Sequence, residues 1–301
     1  MTVSSGQSAV AIGNFDGVHI GHRAVLAEAR ALQPESELVV VTFWPHPLQL
    51  LTPADPPKLL GTLDERLALL KAAGADRVEV VEFTPALAKE SPEQFIAEVL
   101  LPLRPVRVVV GENFRFGAQA VGDVNTLRVF GQAAGFATTA LPLVSSKGEE
   151  TTSSRIRQLL EAGEVSAAAE LLGRPFRFSG EVVHGEHRGK SLGFPTANLL
   201  VPEELASPAD GVYAGLAQIG QKGLPAAISV GSNPTFEAVS RRIEAHVIGR
   251  DDLELYGQVI SVDFTARLRD MVRFASKEEL INQLRNDAVA ARAALAQSSL
   301  L

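Results

Sequence analysis

Two histidines three residues apart, set among three glycines, are the first residues along the chain able to do chemistry. The run is Gly13-Asn14-Phe15-Asp16-Gly17-Val18-His19-Ile20-Gly21-His22. Glycine lets the backbone approach a ligand closely, and a helix start beyond it offers unpaired N–H groups to a phosphate. His19 and His22 share one face if the turn is helical, and two imidazoles there can donate hydrogen bonds to phosphate oxygens as charge builds. Three other readings compete. The glycines can serve a tight turn alone. Zinc can take the histidines with Asp16, but the helical zinc pair of metalloproteases is spaced four apart beside a glutamate. A dinucleotide fingerprint needs a different glycine spacing. Phosphate binding accounts for glycines, histidines and location together.

Other segments carry weaker signals. Ser153, Ser154, Arg155 and Arg157 at a helix start can grip a triphosphate, although a serine cap with surface arginines reads the same way when taken alone. Asn113, Phe114 and Phe116 can hold a planar ring by hydrogen bonding and aromatic contact, or the phenylalanines can belong to the core. His46, between Pro45 and Pro47, reads as part of an exposed rigid turn. In the second half, Gly189-Lys190-Ser191 suggests a P-loop, but only three residues separate Gly185 from Gly189 where four are needed, and Pro195 prevents a long helix just beyond. A different phosphate loop or a hairpin connection remains. In Ile243-Glu244-Ala245-His246-Val247, alternation puts Glu244 and His246 on the polar face, which periodicity alone assigns to solvent.

The run His19-Ile20-Gly21-His22 resembles the histidine–x–glycine–histidine signature of nucleotidyltransferases. With its neighbours it is similar to the version found in bacterial bifunctional riboflavin kinase/FMN adenylyltransferases. Thr42–Pro47, Val110–Gly117 and Thr152–Arg157 are similar to that family's second, third and fourth motifs, with Thr152 and Ser154 where isoleucine and threonine are usual. His184–Asn198 resembles the riboflavin-kinase signature, and Asp210–Gly215, Gly231–Phe236 and Leu255–Gln258 resemble its strand and turn segments. The stretch Gly249–Glu254 lacks the aromatic that the family commonly places there, and Leu268–Phe274 departs from its usual basic, proline-containing form.

The resemblance implies two MgATP-dependent steps: riboflavin to FMN in the second half, then FMN to FAD with release of pyrophosphate in the first. It implies adenylyl-transfer roles for His19, His22, Ser153, Arg155 and Arg157, and nucleotide or flavin contacts for Gly13, Asn14, Phe15, Asp16, Gly17, Asn113, Phe116 and Ser154. Because an ionised carboxylate cannot donate to phosphate, Asp16 is expected in a structural or metal-facing role. In the second half it implies Mg²⁺ and phosphate at Thr196 and Asn198, a nucleotide loop with Gly185, Lys190, Gly193 and Pro195, and Glu244 as acceptor of the riboflavin 5′-hydroxyl proton. A hydroxyl needs such a base and an FMN phosphate, already anionic, does not.

These residues must be positioned by two different architectures. In the first half, Ala9–Ile12, Leu38–Phe43, Val78–Val81 and Val106–Val110 read as strands that alternate with helical patterns. Thr62 with Glu65 and Ser91 with Gln94 are capping boxes, and Gly74 ends the helix that Thr62 opens. This predicts an α/β domain: a parallel, nucleotidyltransferase-type sheet with helices on both faces and ligands beyond the carboxyl ends of the strands. At about Gly173–Pro175 the pattern changes to short strands parted by Gly, Pro and Asn, which predicts a small antiparallel β-barrel with a terminal helix capped by Ser276. The expected domains are 1–173 and 174–301.

A chain of 301 residues with 46% hydrophobic and 21% charged content can bury a core in each half. With no cysteine, disulfides, thiolate metal sites and a cysteine nucleophile are excluded. The net charge of −7 argues against a nucleic-acid partner, which would demand a basic surplus. The first ten residues do not resemble a signal peptide and no apolar run approaches the ~18 residues of a membrane span. The expected setting is the cytoplasm, with ATP, riboflavin and FMN as small-molecule partners.

Overall fold

The computed structural model describes residues 6–146, 148–185, 192–235 and 238–297, without side chains over 233–240. The chain divides into two compact units, Met1–Ser153 and Ser154–Leu301.

In the first unit, β1 (Ser8–Ile12), β2 (Glu37–Trp44), β3 (Arg77–Glu82), β4 (Pro105–Gly111) and β5 (Ala137–Leu141) form a parallel sheet ordered β3-β2-β1-β4-β5, and β6 (Ser145–Ser146) pairs antiparallel with β7 (Glu149–Glu150). Alternation along the strands feeds two cores. Ala9, Ala11, Leu38, Val40 and Val109 pack on one face with Val25, Leu26 and Ala29 of α1 (Ile20–Leu32) and Leu70. Val10, Ile12, Val39, Val41, Val108 and Val110 pack on the other with Phe95, Leu100 and Leu127. A strand buried on both faces must be apolar throughout, hence the unbroken runs in β1, β2 and β4. Thr62 caps a helix over Leu63–Ala72 with the expected reciprocal bonds to Glu65, and Ser91 does the same with Gln94. Strand order reverses between β1 and β4, the switch point at which such sheets bind ligands, and the Gly13–His22 run leaves the carboxyl end of β1 there.

In the second unit, two helices, Ser153–Glu161 and Val165–Leu172, precede a closed antiparallel barrel. Its strands are β8 (Phe176–Val183), β9 (Ala197–Leu200), β10 (Gly211–Ile219), β11 (Lys222–Thr235), β12 (Ala238–Val247) and β13 (Val259–Arg269), in circular order β10-β11-β12-β9-β8-β13. The helix Val165–Leu172 packs on β13, so this helical pair belongs with the barrel, although the change in sequence pattern falls later, near Gly173. The terminal helix, Lys277–Gln297, lies on β10, β11 and β13. Its deepest residues are Asp287, Ala291 and Leu295, while Leu280, Leu284 and Ala288 are partly buried. Asp287 is tolerated in that seam because Arg269 donates to both its oxygens, at 2.8 and 2.7 Å, and Gln283 adds a third bond at 2.8 Å.

Candidate active sites

At the head of β1 the chain turns sharply. Gly17, with φ +77°, is flanked by Phe15 and Val18 at +51° and +39°, left-handed conformations that side chains adopt at a cost. The turn is held open by its own core. Phe15 and Val18 are buried, Thr42 Oγ1 donates to the Asn14 carbonyl at 2.9 Å, and the Gly13 N–H donates to the Val41 carbonyl at 3.1 Å. Asp16 is also buried. Its carboxylate accepts from the Leu60 N–H at 3.1 Å and faces the Arg66 guanidinium at 3.4 Å, both side chains being 2% exposed. Arg66 also donates to the Phe43 carbonyl at 3.2 Å and stacks over Trp44 at 5.4 Å. The Asp16 carboxylate thus ties the loop to the segment before the helix Leu63–Ala72. Arg66, fifty residues away, had no sequence signal beyond its place in that helix.

His19 and His22 come together. His19 is the N-cap of α1, where its Nδ1 accepts from the His22 N–H at 3.3 Å. A bound Nδ1 acceptor leaves Nε2 as the N–H donor of the neutral His19 ring. The two imidazoles stack at 3.5 Å between centroids, and Phe15 packs edge-on to His22 at 5.1 Å. Burial, then the proximity of His19 and Arg66, holds His22 well below the usual imidazole pKa. It is therefore neutral at pH 7, and its buried Nδ1 has no hydrogen-bond partner among the described residues. Gly21 lies against His19, since a Cβ there would meet the ring at 3.2 Å and the Thr151 carbonyl at 3.7 Å. Ser153 Oγ donates to the Asp16 carbonyl at 2.9 Å. Ser153 thus joins the histidine loop, and Thr151, which sequence reasoning did not single out, lies beside it with a buried Oγ1 that has no partner among the described residues.

Phe116 is a core residue against Phe95 and Phe114, at 5.4 and 5.6 Å, while Asn113 is exposed. His46 is buried, not on an exposed turn: its Nδ1 accepts from the Leu48 N–H at 3.2 Å and caps the short helix Pro47–Leu51. In the second unit, Ser154 is exposed and Arg155 and Arg157 are partly buried on the first turns of their helix.

The barrel holds a cavity of about 350 Å³ lined by Gly185, Pro195, Thr196, Asn198 and Glu244 among others. Strand register explains the grouping. Glu244 in β12 lies between Asn198 of β9 and Ser229 of β11, so the three share a row across the sheet. Arg242 and Glu244 of β12 therefore border the cavity, Ala245 and Val247 also reach its wall, and Ile243 is buried away from it. Asn198 Nδ2 donates to the Thr196 carbonyl at 3.3 Å, which makes the amide oxygen the atom available to a ligand. A Cβ on Gly185 would meet the Asn198 amide at 2.6 Å, so glycine is required for this approach. Gly193 has φ +82° and open space around it, as a turn glycine does. His246 Nδ1 bonds the Pro195 carbonyl at 2.9 Å and anchors the loop before β9. Tyr256, from the Leu255–Gln258 motif, lines the cavity and stacks on His184 at 4.2 Å. Lys190 lies outside the described residues. Arg242, which no motif marked, also lines the cavity.

A doubly wound sheet with a His-x-Gly-His loop at its switch point, together with a closed barrel whose cavity groups a carboxylate with neutral oxygen donors, defines a two-domain nucleotide-dependent transferase. Family models match both parts: FAD synthetase over residues 2–155 and riboflavin kinase over residues 172–295. The bifunctional riboflavin kinase/FMN adenylyltransferase of Escherichia coli K12 is 38% identical over 93% of this chain and 90% of its own. Those of Pseudomonas fluorescens and Bacillus subtilis are 35% and 32% identical, covering 96% and 93% of this chain and 93% and 90% of theirs. A crystal structure from Streptococcus pneumoniae, described as a macrolide-efflux protein, superposes with a TM-score of 0.86 at 29% identity, covering 97% of this chain and 96% of that one. The chain belongs to the family of bifunctional riboflavin kinase/FMN adenylyltransferases, with the FAD synthetase domain first and the riboflavin kinase domain second. Among the described residues, no helix is long and apolar enough to cross a membrane.

Proposed function

We propose that the barrel cavity phosphorylates riboflavin through Glu244 and that the His19–His22 loop transfers adenylyl groups to FMN. The observation that carries the first assignment is the single row Ser229–Glu244–Asn198 on the cavity wall, with Thr196 beside it. Glu244 accepts the proton of the riboflavin 5′-hydroxyl, that oxygen bonds to the γ-phosphorus of ATP, and the bond to the bridging oxygen of ADP breaks. Thr196 Oγ1 and Asn198 Oδ1 are neutral oxygen donors of the kind a hydrated Mg²⁺ accepts. Among the described residues there is no group of three histidine or carboxylate side chains that could hold a metal by itself.

At the other site an FMN phosphate oxygen attacks the α-phosphorus of ATP, and the bond to the departing pyrophosphate breaks. No base is needed, so the task is positioning and stabilisation of charge. A neutral His22, and His19 with Nε2–H as donor, can serve as hydrogen-bond donors without adding a net charge that two stacked imidazoliums could not sustain. Gly13, Asn14 and Gly17 shape the loop around the nucleotide. Ser154, Arg155 and Arg157 are assigned to the triphosphate on their motif alone, and Asn113 to the flavin. The family resemblance and the absence of cysteine support a cytoplasmic setting.

The test is a product assay with purified protein, riboflavin and MgATP. His22→Ala should suppress FAD and spare FMN. Glu244→Ala should abolish FMN formation and still convert supplied FMN to FAD. Loss of both activities with either change, in folded protein with riboflavin and FMN supplied separately, refutes two separate sites.

A further inference from the structure

Arg242 is a cation on the kinase cavity that no motif accounts for. It precedes Glu244 by two residues on β12, so the two side chains leave the same face about 7 Å apart. Its partner on β11 is Gly231, which has no side chain and also lines the cavity, and its partner on β9 is Leu200. Across the sheet Arg242 thus meets no side chain on its β11 partner, where Met271 Cε lies 3.8 Å from the place a Cβ would take, and the apolar Leu200 on the β9 side. Its Nε is buried and has no hydrogen-bond partner among the described residues. The other arginine on the described cavity wall, Arg250, is already committed to Asp252 through two bonds of 2.6 and 2.8 Å. A buried donor left unmet is uncommon, and one on a cavity wall asks for an acceptor from the ligand.

We propose that Arg242 binds the phosphoryl group passed to riboflavin, and so retains the phosphate of the FMN product. The inference rests on the reading of this cavity as the kinase site. A riboflavin hydroxyl within hydrogen-bond reach of Glu244 becomes, after transfer, the ester oxygen of a phosphate dianion. An arginine one step along the same strand face reaches that dianion, and its planar fork matches two phosphate oxygens. Riboflavin carries no charge there. Arg242 thus separates product from substrate by charge, and it is a phosphate-binding residue rather than a proton acceptor.

The test uses the full chain, labelled riboflavin and MgATP. Initial rates are counted as label in FMN and FAD together, with unlabelled FMN added as inhibitor. Arg242→Gln should raise the inhibition constant for FMN about tenfold or more, as expected for loss of a charge-assisted bond, and should move the riboflavin KM by less than about threefold. Arg242→Lys keeps the charge and stem and should recover part of the inhibition. A glutamine variant with unchanged FMN inhibition, KM and inhibition constant moving together, or a lysine variant no better than glutamine overturns the assignment. An unaltered chain that makes no FMN from riboflavin instead overturns the kinase reading itself.

Discussion

Gly185→Ala isolates the contribution of Asn198 without touching it. The Gly185 backbone is not left-handed, so alanine is tolerated conformationally, but the added Cβ would lie 2.6 Å from Asn198 Nδ2 and 2.8 Å from its Cγ and Oδ1. Ordinary contact begins near 3.4 Å, so the amide must move by about 1 Å. Asn198 is 6% exposed and lies beside Glu244 in the register, so the only room its amide has is the cavity itself, and moving there takes it off its ligand-facing position. A displacement of about 1 Å in a positioning group costs on the order of 10²-fold, equivalent to about 2.7 kcal/mol of transition-state stabilisation. Riboflavin phosphorylation measured against Mg²⁺ concentration should show kcat/KM lower by about that factor and a higher Mg²⁺ requirement. FAD formation from supplied FMN, in the same sample, should be unchanged. A kinase rate and Mg²⁺ dependence equal to the unaltered protein would refute the positioning argument for Asn198.

Asp16→Ala leaves the buried Arg66 charge without its carboxylate and should destabilise the first unit by about 3–5 kcal/mol. Urea unfolding followed through Trp44, the chain's single tryptophan and the ring under Arg66, reads this directly; an unchanged midpoint would mean that the pair stabilises nothing. The His22 ring predicts a pH dependence of the same signal. Its folded pKa is depressed by burial, His19 and Arg66, so the unfolded chain binds that proton more readily than the folded one. The stability from the neutral ring is complete above about pH 6.5 and is lost as pH falls toward the folded pKa, by at most about 1.4 kcal/mol per pH unit. Relative to His22→Gln, the unaltered chain should therefore lose stability between pH 7.5 and 5.5; parallel curves would count against a buried neutral His22.

Local signals marked most of the scaffold and the loops. The apolar runs of β1, β2 and β4 mark doubly buried strands, the Thr62–Glu65 and Ser91–Gln94 boxes mark helix starts, and each depends on neighbours within a few residues. The strand Ala197–Leu200 escaped this reading because Gly193 and Pro195 just before it signal a turn and its four residues are too few to show a period. The two prolines around His46 predict an exposed rigid turn, whereas the residue is buried, because a turn motif does not reveal what packs over it.

The sequence by itself determined that Gly13–His22 follows a strand and opens a helix, that Glu244 lies on the polar face of its strand, and that both halves carry the motifs of one family. Tertiary structure alone decided that the Asp16 carboxylate meets Arg66, fifty residues on, and that Ser153, more than a hundred residues away in sequence, closes on the same loop. It also decided that the polar face of β12 borders a cavity instead of bulk water, because barrel closure puts Asn198 on one side of Glu244 and Ser229 on the other. The physical reason is common to all three. Periodicity fixes which way a side chain points through local backbone geometry, whereas what it meets depends on pairings between distant segments that no local pattern records.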